Sequence, residues 1–254
     1  MGLKFDKYQG AGNDFIIVNN FDGNIKLSRE EIESLCDRRF GIGADGFIMV
    51  ENDACHDFAM KFYNSDGNTA SMCGNGGRCI AKYAFDHNIC KSKLTFSADD
   101  GIHEAEILAD GNVKLKMIDV EIIKKFDDGL WTNTGVPHFV KFVNDISKVD
   151  VATEGRKLAD DKRFAPDRTN VNFVDELDGF NLATYERGVE GETLACGTGT
   201  VATALCINVI HGQKSPIVLK AKGGILQVYF EKVETKYNNI WLEGPAKHVF
   251  KGEL

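Results

Sequence analysis

The amino-acid sequence predicts a mixed α/β protein of the α+β kind, with two pseudo-symmetric lobes that each curve a mostly antiparallel sheet around one central helix. Three observations carry this expectation. The chain matches itself at one offset: Cys73 and Cys196, Gly101 and Gly224, and Gly12 and Gly135 each lie 123 positions apart, and a constant period marks a duplicated unit. Each half holds an alternating strand-like run, then a polar loop, then a single apolar helical stretch. The remaining alternating runs are short and bounded by turn pairs such as Asp-Gly and Gly-Asn, which suits curved antiparallel sheet.

In the first half, Phe58 to Asn64 (FAMKFYN) reads as a strand, SDGNTAS as the loop, and MCGNGGRCIAKYAF as the start of the helix. In the second, FNLATYERG from Phe180 to Gly188 reads as the strand, VEGETLA as the loop and CGTGTVATALCINVI as the helix. The strand-like GIHEAEI and GILQVYF begin at Gly101 and Gly224, and GAGNDFIIV corresponds to TGVPHFVKFV. An outer helix is expected over Ser28 to Asp37, where Ser28 and Glu31 have capping-box spacing, and another near Val151 to Asp160. The C-terminal IWLEGPAKHVFKGEL is placed as a closing strand of the first lobe. The predicted lobes are therefore residues 1–117 with 245–254, carrying Cys73, and residues 118–244, carrying Cys196, with the active site in the cleft between them.

At 254 residues, with 43% hydrophobic and 27% charged residues and only four prolines, the whole chain is expected to fold. A formal charge of −8 with no basic, aromatic-interleaved cluster argues against nucleic acid as a partner. The longest apolar stretch, Val201 to Ile210, is interrupted and too short for a membrane span, and MGLKFDKYQG lacks a signal core, so a cytoplasmic protein without a membrane partner is expected. Seven cysteines, an odd number, are expected to be free thiols. No metal is expected, because the one close pair, Cys73 and Cys79, has no histidine at ligand spacing.

Cys-Gly-x-Gly at a helix start is the pattern with chemical content. Glycines bare the first N–H groups, which lack helical acceptors and sit at the positive end of the helix dipole. A carboxylate could be held by the amides of Gly74 and Asn75 in one lobe and of Gly197 and Thr198 in the other. The same environment is expected to lower a thiol's pKa toward neutrality. Two such sites at one substrate carbon would supply a base on one face and an acid on the other, inverting the stereocentre without metal or pyridoxal; no cofactor is expected. A lone cysteine at a helix start is more often packing. Duplication of the whole strand, loop and Cys-Gly-x-Gly unit reverses that balance.

At these residues the sequence resembles the diaminopimelate epimerase family over almost its full length. The shared segments are GAGNDF, RRFGIGADG, FYNSDGNTASMCGNGGRC, TNVNFV, YERGVEGETLACGTG and GPAKHVFKG. The resemblance implies that family's two-lobed fold, interconversion of LL- and meso-diaminopimelate without a cofactor, and a place in lysine and cell-wall precursor synthesis. It implies Cys73 and Cys196 as the acid/base pair, and Asn13, Asn64, Asn170, Glu186 and Arg187 as further substrate contacts. His138 in GVPHF, with Glu186, matches positions that tune the thiols. A homodimer is implied by the resemblance alone. Two positions depart from the pattern: Gly46, where some members carry Gln, and Val136, commonly Asn.

Read in isolation, the asparagines are turn residues before they are ligands, and the bland readings of Arg187 and His138 are a surface ion pair and a satisfied core histidine. The alternatives at the level of function are a racemase of proline or hydroxyproline type, a thiol redox or metal-binding protein, and a non-catalytic binding protein on the same fold.

Overall fold

The computed structural model describes residues 2–70 and 72–254, and in it the chain divides into two compact units, 1–115 with 244–254 and 116–243. The divisions fall at 115/116 and 243/244, within the strands Val113–Lys116 and Lys236–Gly244.

The first unit contains β1 (Lys4–Gly10), β2 (Asn13–Asn19), α1 (Arg29–Cys36), β3 (Gly46–Glu51), β4 (Phe58–Asn64), α2 (Gly74–Asp86), β5 (Lys93–Ala98), β6 (Gly101–Ile107) and β7 (Val113–Lys116). The second contains β8 (Ile123–Phe126), β9 (Gly129–Asn133), β10 (Pro137–Phe142), α3 (Val151–Ala159), β11 (Asn170–Asp175), β12 (Phe180–Glu186), β13 (Gly191–Thr193), α4 (Gly197–His211), β14 (Ile217–Ala221), β15 (Gly224–Val233) and β16 (Lys236–Gly244). The last strand, β17 (Lys247–Glu253), returns to pair antiparallel with β1, as the sequence predicts.

Pairing repeats between the units. β1 pairs antiparallel with β2, β2 runs parallel to β3, β3 is antiparallel to β4, and β4 is parallel to β5. The same senses recur for β9 with β10, β10 with β11, β11 with β12, and β12 with β14. The duplication extends to the backbone: Gly101 and Gly224 open their hairpin strands at φ 134° and 148°, and Gly12 and Gly135 have φ 85° and 112°. These are conformations that a side chain resists, so both copies keep glycine there.

Period-two alternation divides each sheet into an outer and an inner face. In the first unit Ile16, Val18, Phe47 and Met49 pack outward with Ile32 and Cys36 of α1. The capping box predicted at Ser28 and Glu31 starts that helix. In the second unit Phe139, Val171, Phe173, Ala183 and Tyr185 pack outward with Val151, Leu158 and Ala159 of α3. The inner faces hold α2 and α4. α2 packs on β1, β2, β3 and β6, and α4 on β9, β10, β11, β14 and β15. Strands from opposite parts of each sheet touch one helix, so each sheet curves around it. α4 carries Val201, Ala202, Ala204, Leu205, Cys206 and Ile207 fully buried, as a helix surrounded by sheet requires.

Phe58 and Phe96 stack at 5.2 Å on neighbouring strands and are fully buried. Phe96→Ala should therefore lower the unfolding free energy by about 3–5 kcal/mol in urea titration. Ile102→Ala, at a side chain that is 60% exposed, should change it by less than about 1 kcal/mol.

Candidate active site

Both cysteines of the repeated motif are helix N-caps with extended backbone, Cys73 for α2 and Cys196 for α4. By helix geometry the amides that follow, Gly74 and Asn75, and Gly197 and Thr198, have no acceptor within their own helix. The second glycine of each motif lets the helix start lie against the sheet. A Cβ on Gly76 would stand 3.3 Å from the Cys73 Sγ and 3.6 Å from Ile48, and one on Gly199 only 2.4 Å from Asn172 Oδ1.

In the first unit, Gly76 N–H donates to Cys73 Sγ at 3.2 Å. Asn13 gathers this corner: its Oδ1 accepts from Asn75 Nδ2 at 3.3 Å and stands 4.0 Å from the Cys73 sulfur, while its Nδ2 donates to Asp45 at 2.7 Å. Asp45 and Asp14 share Arg38, and Arg38 with Lys7 keeps the Asp14 carboxyl far below the usual range despite its partial burial. Asn64 is not part of this group. It is exposed at the end of β4 and opens a turn in which Gly67 N–H donates to its carbonyl, which is the turn role its sequence also allows.

Sequence reading passed over Arg78, one turn into α2. It is fully buried and donates to Gly74 O at 3.2 Å, Asn75 Oδ1 at 2.8 Å and Pro245 O at 3.5 Å. Among the described residues no carboxylate pairs with it. Burial pushes its pKa down, while negative charge on Cys79 or Cys73 supports the cation. The dependence is mutual, so the guanidinium favours a thiolate at Cys73.

The second unit surrounds its cysteine differently. On β10, β11 and β12 the residues alternating with the outward apolar set are His138, Asn170, Asn172, Thr184 and Glu186, and they share the inner face with α4. His138 lies opposite Asn170 in the parallel ladder, and Asn172 opposite Thr184. His138 Nε2 is 2.9 Å from Thr198 Oγ1, which is 3.5 Å from Cys196 Sγ. Glu186 accepts from Thr193 Oγ1 at 2.6 Å. Asn170 Oδ1 accepts from Arg187 N–H at 3.0 Å. The Arg187 guanidinium donates to Asp167 O.

The lowered thiol pKa expected at a helix start does not hold at Cys196. Burial, followed by the negative charge of Glu186, raises it well above the ordinary value, outweighing the donor Thr198. Burial likewise raises Glu186, against hydrogen bonds from Thr193 and Cys196. Burial, then the charge of Arg187, lowers His138 to about 3, keeping it neutral. Among the described residues no group of three or more His, Cys, Asp or Glu side chains is placed to hold a metal ion.

The family model described as diaminopimelate epimerase matches residues 5–123 and 130–249. The chain belongs to the diaminopimelate epimerase family. A diaminopimelate epimerase of Flavobacterium psychrophilum is 45% identical over 98% of this chain and 99% of its own length, and that of Chlorobaculum tepidum is 40% identical over 96% and 98%. Solved structures share the fold at low identity. A Bacillus anthracis phenazine biosynthesis protein of the PhzF family superposes with TM-score 0.79 at 14% identity, covering 100% of this chain and 99% of that one. A hydroxyproline epimerase from Agrobacterium vitis gives 0.69 at 12%, covering 100% and 92%. As a member of the diaminopimelate epimerase family the chain is an isomerase.

One departure from the family pattern now has a steric reason: a Cβ on Gly46 would meet Phe62 at 2.7 Å and the Tyr63 carbonyl at 2.9 Å, so Gln has no room there. Asn172, Thr184 and Thr193, like Arg78, escaped the sequence reading. The signal for Asn172 was its spacing of two from Asn170 in TNVNF, which puts both on one strand face.

Arg78→Met should raise the pH at which Cys73 is alkylated by iodoacetamide by about one unit, read peptide by peptide by mass spectrometry. His138 takes no proton in the fold until about pH 3, whereas the unfolded chain takes one near 6.5. Acidification through that window protonates only the unfolded state, so the wild type should lose about 1 kcal/mol from this group between roughly pH 7 and 5.5, and His138→Gln should lose less, by urea midpoints.

Proposed function

We propose that this chain interconverts LL- and meso-diaminopimelate by passing the α-proton between Cys73 and Cys196, without metal or pyridoxal. The observation that carries the reading is the family match across both halves, each half starting its buried helix on a cysteine N-cap followed by Gly-x-Gly.

One thiolate takes the proton from the α-carbon, forming S–H as the C–H bond breaks and its electron pair moves onto the carboxylate. The other thiol then delivers its proton to the opposite face of the carbon. The enzyme is left with the two sulfurs exchanged in protonation state and resets through solvent. Amides of Gly74, Asn75, Gly197 and Thr198 meet the charge that builds on the carboxylate, in a site where helix-end dipoles are strongest when water is excluded. The buried cation at Arg78 suits Cys73 to rest as thiolate, and the carboxylate at Glu186 suits Cys196 to rest as thiol. Asn13, Asn64, Asn170, Glu186 and Arg187 serve the charged groups of the substrate, the arginine being suited to a carboxylate. His138 tunes the thiols. The reading includes a homodimer and a cytoplasmic place in lysine and peptidoglycan precursor synthesis.

Incubated with LL-diaminopimelate in deuterium oxide, the protein should place deuterium at the α-carbon and yield the meso isomer. Replacing Cys73 or Cys196 by Ala should each lower epimerisation at least about a thousandfold. No exchange on diaminopimelate together with exchange on proline or hydroxyproline would transfer the reading to another amino acid. Undiminished turnover in either cysteine variant would end the two-thiol mechanism.

A further inference from the structure

A single hydrogen-bond chain runs from the second sheet to the sulfur of Cys196, and its direction can be worked out from its fixed end. Asn172 is fully buried. Its Nδ2 is 3.2 Å from the main-chain carbonyl of Phe139 and 3.0 Å from His138 Nδ1, and its Oδ1 is 3.0 Å from Thr184 Oγ1. A carbonyl oxygen can only accept, so the NH2 end of the amide must face Phe139. Its two hydrogens are then committed, one to Phe139 O and one to His138 Nδ1, and Thr184 donates to the amide oxygen.

His138 Nδ1 is therefore an acceptor and carries no proton. The fully buried imidazole is neutral, so its proton is on Nε2, which donates to Thr198 Oγ1 at 2.9 Å. The hydroxyl has accepted one hydrogen bond and has its own hydrogen to give. Its other polar neighbour is Cys196 Sγ, at 3.5 Å. The packing allows no other arrangement cheaply, because the missing side chain of Gly199 is what admits the Asn172 oxygen and the His138 ring beneath the first turn of α4.

We infer that Asn172 is a positioning residue for the Cys196 half-reaction: by fixing the His138 tautomer it turns the Thr198 hydroxyl hydrogen onto the Cys196 sulfur, where it supports the thiolate. The need for such a donor is local. The burial and carboxylate that surround Cys196 both oppose its ionisation, and the donors that favour the charged form are the Thr198 hydroxyl and the Gly199 N–H. The corresponding first-unit face has Phe15, Ile48 and Phe62 in place of His138, Asn172 and Thr184 in the same ladder, so those three positions supply no polar group there. The catalytic consequence rests on the epimerase reading above; the tautomer and the thiol's ionisation do not.

The test has three readouts. Nitrogen NMR of wild-type protein labelled in histidine should show His138 with a bare Nδ1 and a protonated Nε2 between about pH 6 and 9; a protonated Nδ1 overturns the inference whether or not any variant folds. Alkylation of Cys196 by iodoacetamide should move to higher pH by about one unit in Asn172→Leu and in Thr198→Val, with the Cys73 profile unmoved. The double variant should shift no further than Thr198→Val alone, and Thr198→Ser, which keeps the hydroxyl, should restore the Cys196 profile. Additive shifts, or an unmoved Cys196 profile in a folded Asn172→Leu protein, overturn it. On kcat, Asn172→Leu should cost about tenfold with KM little changed. Failure of the wild type to exchange diaminopimelate would remove the epimerase reading and leave the tautomer and alkylation results standing.

Discussion

The structure depends on how closely each central helix can start against its own sheet. A helix end is where main-chain N–H groups are unspent, and it becomes chemically useful only if polar side chains of the sheet can reach it. Both units meet this with glycine at the third position after the cysteine. At Gly76 the approaching atoms are the Cys73 sulfur, Met60 and Ile48; at Gly199 they are Asn172, His138 and the Cys196 Cβ. A methyl group in the second place would collide with the amide that holds the histidine. The geometry of the cysteine and the identity of the residues beneath it are thus set by one steric allowance.

One topology has been given two electrostatic characters. The ladder positions facing the helix hold Phe15, Gly46, Ile48 and Phe62 in the first unit and His138, Asn170, Asn172 and Thr184 in the second. The buried charge on the first helix is Arg78, and the position 123 residues later is Val201, fully buried and apolar. The second unit instead brings Glu186 to its thiol. A buried cation in the first unit supports negative charge on the thiols near it, Cys79 and then Cys73, and a carboxylate in the second opposes it at Cys196, since charges act strongly in a poorly solvated setting. Two chemically identical side chains on duplicated scaffolds are made unlike by their second neighbours.

Much of this was legible in the linear pattern. The 123-residue offset, the capping box at Ser28 and Glu31, the alternation in Phe58 to Asn64 and the return of the C-terminal strand are local or periodic signals, and the ladder reproduces them. Arg78 could not be read because a charged residue in a helix is ordinarily solvated, and only packing against Gly74, Asn75 and Pro245 buries it. Asn64, prominent in its motif, turns out in this structure to open an exposed turn at the end of β4.

By itself the sequence determined the duplicated α+β architecture, the two cysteines at helix starts and the family, because periodicity, turn glycines and caps act between residues close in the chain. The tertiary structure alone decided the ionisation of Cys196 and the direction of the bonds around His138. Those depend on which groups meet after strands distant in sequence are set side by side, and on how much water that meeting removes.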